Sequence, residues 1–140
     1  RVGVDAGGRV DEARLEAALH QHRGRVALLA VCGASNVTGV VNPIHRWARW
    51  AHQAGARILV DAAQLVPHRP VDMRPGQGDE LDFLAFSGHK MYAPFGAGVL
   101  VAPRASFAGQ PWQVGGGTVG GPPGGAGHFA AEVGLVPGAR

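Results

Sequence analysis

Asp61, Gln64 and Lys90 are the residues whose types and spacing could carry chemistry in this 140-residue chain. Asp61 and Gln64 close off the apolar run Ile58-Leu59-Val60, and Lys90 ends the tetrapeptide Ser87-Gly88-His89-Lys90, about 25 residues further on. A lysine set where a core strand breaks into a loop has a poorly solvated ammonium, and such lysines shift pKa readily and serve as Schiff-base amines. Every other basic residue is arginine, so Lys90 is the sole candidate amine of this kind. A carboxylate can hold a heterocyclic nitrogen protonated, an amide can donate to a phenolic oxygen, and an amine can condense with an aldehyde. Ser87 and His89, on either side of Gly88, can bond phosphate oxygens. The blander readings are a surface lysine at a strand end and an aspartate that only caps a turn.

The surrounding pattern says how these residues are held. Val26 to Cys32 is continuously apolar, which predicts a strand covered on both faces, with Cys32 as inert buried packing. Arg57 to Val60 predicts a second core strand, and Leu81–Phe86 and Gly98–Ala102 predict the two that flank Lys90. Asp11 is placed to cap a helix running to about Arg23, which Gly24 ends. A second helix has Asn42 as N-cap, Pro43 at its first position and Gly55 at its end, with Ile44, Trp47, Ala48 and Ala51 as its buried stripe. Helices and strands alternate, so the expected fold is α/β with a mostly parallel sheet flanked by helices. In such sheets ligands sit outside the carboxyl ends of the strands. The loops at Ser35-Asn36, Asp61–Gln64 and Ser87–Lys90 are therefore expected to converge on one crevice.

Composition narrows the function classes. The chain is 46% apolar and 16% charged with a net charge of +3, which fits a compact domain. Its basic residues are scattered, which argues against nucleic acid as a partner. A single cysteine excludes an internal disulfide framework and fits a reducing, cytoplasmic compartment. No apolar run approaches the roughly 18 residues of a membrane span. His45 and His52 are seven apart with no carboxylate or thiolate beside them in the sequence, so no metal site is expected. Residues 115–127 hold eight glycines and two prolines. The expected organisation is a core over 1–109 and an irregular or disordered tail over 110–140. Gly115, Gly117 and Gly120 match the spacing G-x-G-x-x-G, but Pro122-Pro123 stand where a phosphate-binding helix would open.

The needs that Asp61, Gln64 and Lys90 meet are those of pyridoxal 5'-phosphate (PLP), whose protonated ring is an electron sink. The stretches Val60-Asp61-Ala62-Ala63-Gln64 and Phe86-Ser87-Gly88-His89-Lys90 resemble the PLP signature of class V aminotransferases. Ser35-Asn36-Val37-Thr38-Gly39 with Asn42-Pro43 is similar to a cofactor-proximal loop of the cysteine desulfurase and selenocysteine lyase branch. The likeness spans about residues 1 to 119. It implies a partial large domain of the PLP-dependent transferase fold type I and an enzyme acting on an amino-acid substrate. Lys90 would form the Schiff base and shuttle protons, Asp61 would pair with the pyridinium nitrogen, and Gln64 would bond the phenolic oxygen. Ser87 and His89 would contact the phosphate, and Asn36 would lie near the cofactor and the substrate carboxylate. The resemblance further implies a homodimer for the full-length parent and a sulfur acceptor protein as a partner.

The chain departs from the family pattern in places. Gly33 stands where the family usually carries a polar residue, often His. Cys32 lies at a strand end, not on the late loop where desulfurases hold their persulfide cysteine. The chain opens on Arg1 mid-pattern, so a fragment is expected, with its frame leaving the family near Gly120. A class V transaminase or epimerase shares the same residues. A non-catalytic fold or assembly module is the alternative of another class.

Overall fold

The computed structural model describes residues 2–94 and 96–107. The expectations for the glycine-rich tail, including the Gly115–Gly120 spacing and the domain boundary near 109, fall outside these residues. Two helices and four strands are described: α1 (Glu12–Gln21), β1 (Leu28–Cys32), α2 (Ile44–Gln53), β2 (Arg57–Asp61), β3 (Phe83–Ser87) and β4 (Gly98–Val101). The sheet runs β1-β2-β3-β4, with β1, β2 and β3 parallel and β4 antiparallel to β3. This is the expected α/β class.

Local chemistry accounts for the helix ends. Asp11 caps α1, its carboxylate accepting the Arg14 amide at 3.0 Å, and Gly24 follows the helix at φ +72°, a left-handed conformation that glycine adopts without steric cost. The buried positions of α2 are Ile44, Trp47, Ala48 and Ala51, the stripe expected from a 3.6-residue period. Its start differs from the sequence reading. Pro43 is the N-cap, and Asn42 donates its side-chain amide to the Cys32 carbonyl at 2.8 Å. Asn42 thus binds the end of β1, ten positions earlier in the chain, instead of capping the helix.

The core sits on one face of the sheet. Ile58 and Val60 of β2 are fully buried, and they pack with Trp47, Ala48, Ala51, Leu15, Leu19 and Leu84. Successive side chains of a strand alternate between faces, so Leu28, Ala30 and Cys32 of β1 point the other way, and all three are exposed. The expectations of a doubly covered β1 and a buried Cys32 are both overturned. An apolar run reports residue type, and no described element lies across that second face.

Candidate functional site

Strand register assembles the site. Cys32 pairs with Asp61, Asp61 with Ala85, and Ala85 with Leu100. Residues directly opposite one another share a face, so Asp61 stands in a row on the open side of the sheet. Ser87 is two residues beyond Ala85 and lies on the same face, paired with Gly98. The neighbours of Asp61 and Ser87 in these rows, Cys32, Ala85 and Gly98, are small. They leave the surface between the two polar groups low.

The turn after β2 is built by Asp61 itself. One carboxylate oxygen accepts the Ala63 amide at 3.0 Å, an Asx-type turn. Among the described residues this is the only hydrogen bond to the Asp61 side chain, which leaves its second oxygen available. The Asp61 carbonyl accepts the Gly33 amide at 2.7 Å, and the Gly33 carbonyl accepts the Asn42 amide at 2.9 Å. The carboxyl ends of β1 and β2 are tied together through Gly33. A Cβ built there would lie 2.9 Å from Leu65 Cδ2 and 3.1 Å from Val60 Cγ1. Close packing around Gly33 therefore leaves little room for a side chain at this position.

Beyond β3 the chain forms a short 3-10 turn, Gly88–Met91. Gly88 is buried, its amide donates to the Ala97 carbonyl at 2.8 Å, and its carbonyl accepts the Ala93 amide at 3.1 Å. A Cβ here would meet those of Ala97 at 3.0 Å and Ala93 at 3.2 Å, so the close approach favours glycine. His89 and Lys90 are carried outward on this turn and are both exposed. The expectation of a poorly solvated Lys90 does not hold among the described residues. Burial in this turn is confined to Gly88, and Lys90 lies on its exposed part.

The expected convergence is met in part. Asn36 and Gln64 line a single cleft of about 340 Å³, whereas Asp61, Ser87, His89 and Lys90 are outside its walls. Asp61 and Gln64 remain linked through the turn they share, and Asp61 and Ser87 through the face they share.

A cluster that sequence reasoning missed supports β3 from behind. His52 of α2 faces the Gly78 carbonyl with Nδ1 and the Asp82 carboxylate with Nε2, each at 2.9 Å. The same Asp82 oxygen accepts the Ile58 amide at 2.8 Å. His45 Nδ1 meets the Asp79 carbonyl at 2.9 Å, and Arg49 pairs with the Asp79 carboxylate at 3.2 Å. Burial lowers the His52 pKa, but the hydrogen bonds to Asp82 and Gly78 and the charges of Asp82 and Glu80 outweigh it. The net result is a pKa raised above the ordinary histidine value. His45 and His52 thus fasten the segment leading into β3. Their seven-residue spacing on one helix face was the only signal visible beforehand.

This architecture, a mostly parallel sheet flanked by helices, sets Asp61 and Ser87 at the carboxyl ends of the strands, where open α/β sheets bind ligands. Comparison with known proteins narrows it. The family model described as Aminotransferase class-V matches residues 1–123, and the chain belongs to that family. It is 46% identical over 110 residues to a cysteine desulfurase of Dickeya dadantii, an alignment covering 78% of this chain and 25% of that protein. A cysteine desulfurase of Escherichia coli is 45% identical over 93 residues, 66% of this chain and 22% of its own length. Among solved structures, the E. coli cysteine desulfurase CsdA superposes with a TM-score of 0.66 at 36% identity, covering 81% of this chain and 27% of that one. The apo cysteine desulfurase of Thermococcus onnurineus gives 0.68 at 34% identity, over 84% and 28%. The chain spans about a quarter of the length of the curated relatives it matches. No helix among the described residues is long and apolar enough to cross a membrane.

Proposed function

We propose that this chain is the PLP-binding segment of a cysteine desulfurase-like class V enzyme that acts on an amino-acid substrate. The observation that carries the reading is the shared open face of Asp61 and Ser87, with Gln64 in the turn that Asp61 builds, in a chain whose relatives at about 45% identity are named cysteine desulfurases. The donor set fits the cofactor. Asp61 offers a carboxylate oxygen without a described partner, the Gln64 amide is uncommitted among the described residues, and the Lys90 amine is likewise uncommitted. When bound, PLP supplies an aldehyde and a ring that, once protonated, withdraws electrons from the substrate Cα.

The chain's own residues have distinct tasks in this reading. Asp61 holds the proton on the ring nitrogen, where a carboxylate favours the charged form. Gln64 orients the ring by donating to its phenolic oxygen. Ser87 and His89 hold the phosphate, and Asn36 lies near the cofactor and the substrate carboxylate. Lys90 supplies the amine that anchors the cofactor, and it moves the proton at the substrate Cα. Dimerisation and transfer of sulfur to an acceptor protein belong to the full-length parent in this reading.

Incubation with PLP, reduction with borohydride and peptide mapping test it. A stable adduct at Lys90 that is lost in Asp61→Ala is expected. An adduct of equal yield in that variant would show a lysine reacting without a built site and would sink the assignment, since Lys90 is the only lysine present.

A further inference from the structure

The loop after β1, residues 33–42, carries Asn36 and folds back on itself. Ala34 bridges Val41 in antiparallel fashion, and the Ser35 amide donates to the Val40 carbonyl at 2.9 Å. At the tip the bonds stay within the loop. The Ser35 hydroxyl oxygen accepts the Val37 and Thr38 amides at 3.2 and 3.1 Å, and the Gly39 amide donates to the Ser35 carbonyl at 3.1 Å. Asn36 therefore rides on a unit that braces itself internally, and where that unit stands is decided at its base.

Asn42 occupies the base and uses both of its donors there. Its side-chain amide donates to the Cys32 carbonyl at 2.8 Å, and its backbone amide donates to the Gly33 carbonyl at 2.9 Å. Cys32 also holds the loop through its thiol, which donates to the Ala34 carbonyl at 2.9 Å, but a thiol is a weak donor. Pro43 disfavours a helical conformation at the residue before it, which suits Asn42 to finish the loop rather than open α2. Gly33 passes the constraint on, its amide donating to the Asp61 carbonyl at 2.7 Å. The Ala62 amide in turn donates to the Ala85 carbonyl at 2.7 Å. The Asp61 carbonyl and the Ala62 amide are the two ends of one peptide unit, so these bonds polarise and strengthen each other. A series of hydrogen bonds thus runs from Asn42 through the peptide of Asp61 to β3.

We propose that Asn42 is a positioning residue of the cofactor site, holding the loop that presents Asn36 in register with the turn that presents Asp61. The inference rests on the functional reading above and adds to it a residue that acts through Cys32 and Gly33. Without the side-chain amide, the base of the loop keeps only the backbone bond to Gly33 and the weak thiol bond, and its tilt against β2 is no longer fixed.

The test compares the native full chain with Asn42→Ala and Asn42→Asp, the second of which keeps the shape and loses the donor. Amide hydrogen exchange reads the clamp, and PLP titration followed by borohydride reduction reads the site. In both variants exchange at Gly33 and Ser35 is expected to quicken while exchange at Ile58 and Val60 stays native. The PLP concentration that gives half-maximal adduct at Lys90 is expected to rise about three- to tenfold, the worth of one neutral hydrogen bond. Asn42→Gln, which restores a donor on a longer stem, is expected to recover part of the loss. Native exchange at Gly33 and Ser35 in the variants would overturn the clamp. Faster exchange there with a native half-maximal concentration would leave Asn42 a purely structural residue and overturn the proposal. Equally faster exchange at Ile58 and Val60 in both variants would show a general loss of fold, and the local role would fall. Failure of the functional reading is seen in the native chain itself, as an adduct that is absent or indifferent to Asp61→Ala, and it would take this inference with it. The other failures appear only in the Asn42 variants.

Discussion

The two faces of the sheet differ more than any other pair of regions in the molecule. Against the helices, Ile58 and Val60 are fully buried and Trp47 is 1% exposed. One residue along on β1, Leu28, Ala30 and Cys32 are exposed. The residue types on the two sides of β1 are alike, so hydrophobicity does not separate them. What separates them is the presence of α1 and α2 on one side. The closed face supplies stability, and the open face displays Asp61 and Ser87.

Truncation at the closed face has the largest expected effect. Trp47→Ala should lower unfolding stability by about 3 to 5 kcal/mol, read by denaturant titration, because a large buried side chain is lost with incomplete collapse of the space. Its indole N–H is buried without a described partner, so Trp47→Phe should cost far less. A similar cost for the two variants would show that the ring's volume is not what the core needs.

Asp82→Ala comes next. It strips the partner from the amide of Ile58, a fully buried residue, and from His52 at once. The expected loss is about 1 to 3 kcal/mol, the cost of an unanswered buried donor. A loss much below that range would mean that another group takes up the amide.

The pH response follows from His52. Its folded pKa is raised above the ordinary 6.5, so its stabilising contribution is complete below that value and disappears as pH climbs through the raised one. Both ring nitrogens face acceptors, and only the doubly protonated ring can donate to both. Because the pair is partly exposed to solvent, the change should amount to about 1 kcal/mol or less. Stability measured from pH 6 to 9 should fall in the native chain, and His52→Gln should flatten the curve.

The smallest effect is expected on the open face. Ala30→Ser should alter stability by no more than about 0.5 kcal/mol, as for other exposed substitutions. Cys32 should also react with a thiol reagent in the folded chain. Protection of Cys32 together with a large cost at Ala30 would mean that this face is covered in solution.

Much of the fold was legible beforehand wherever the signal is local. The stripe Ile44, Trp47, Ala48 and Ala51, the Asp11 cap and the end of β2 at Asp61 all follow from spacing within a dozen residues. Asn42 was misread because its side chain bonds a carbonyl ten positions away, outside any capping pattern. The Asp82 cluster joins residues 24 to 30 apart, and no window reports such a pairing. Cys32 and Lys90 were expected in poorly solvated places because an apolar neighbourhood in sequence was taken for one in space. Of the candidate residues, Asn36 and Gln64 were placed together by topology alone, and both line one cleft.

The strand order β1-β2-β3-β4 has a consequence for how the molecule comes to exist. Among the described residues each strand pairs with the one made just before it, so none of these four has to wedge between two that are already joined. A sheet of this kind can be extended edge by edge while synthesis proceeds, with α2 laid down before β2 arrives. The turn bearing Lys90 emerges only after β3, the last parallel strand. Lys90 is therefore presented only when the three parallel strands described before it have already been made.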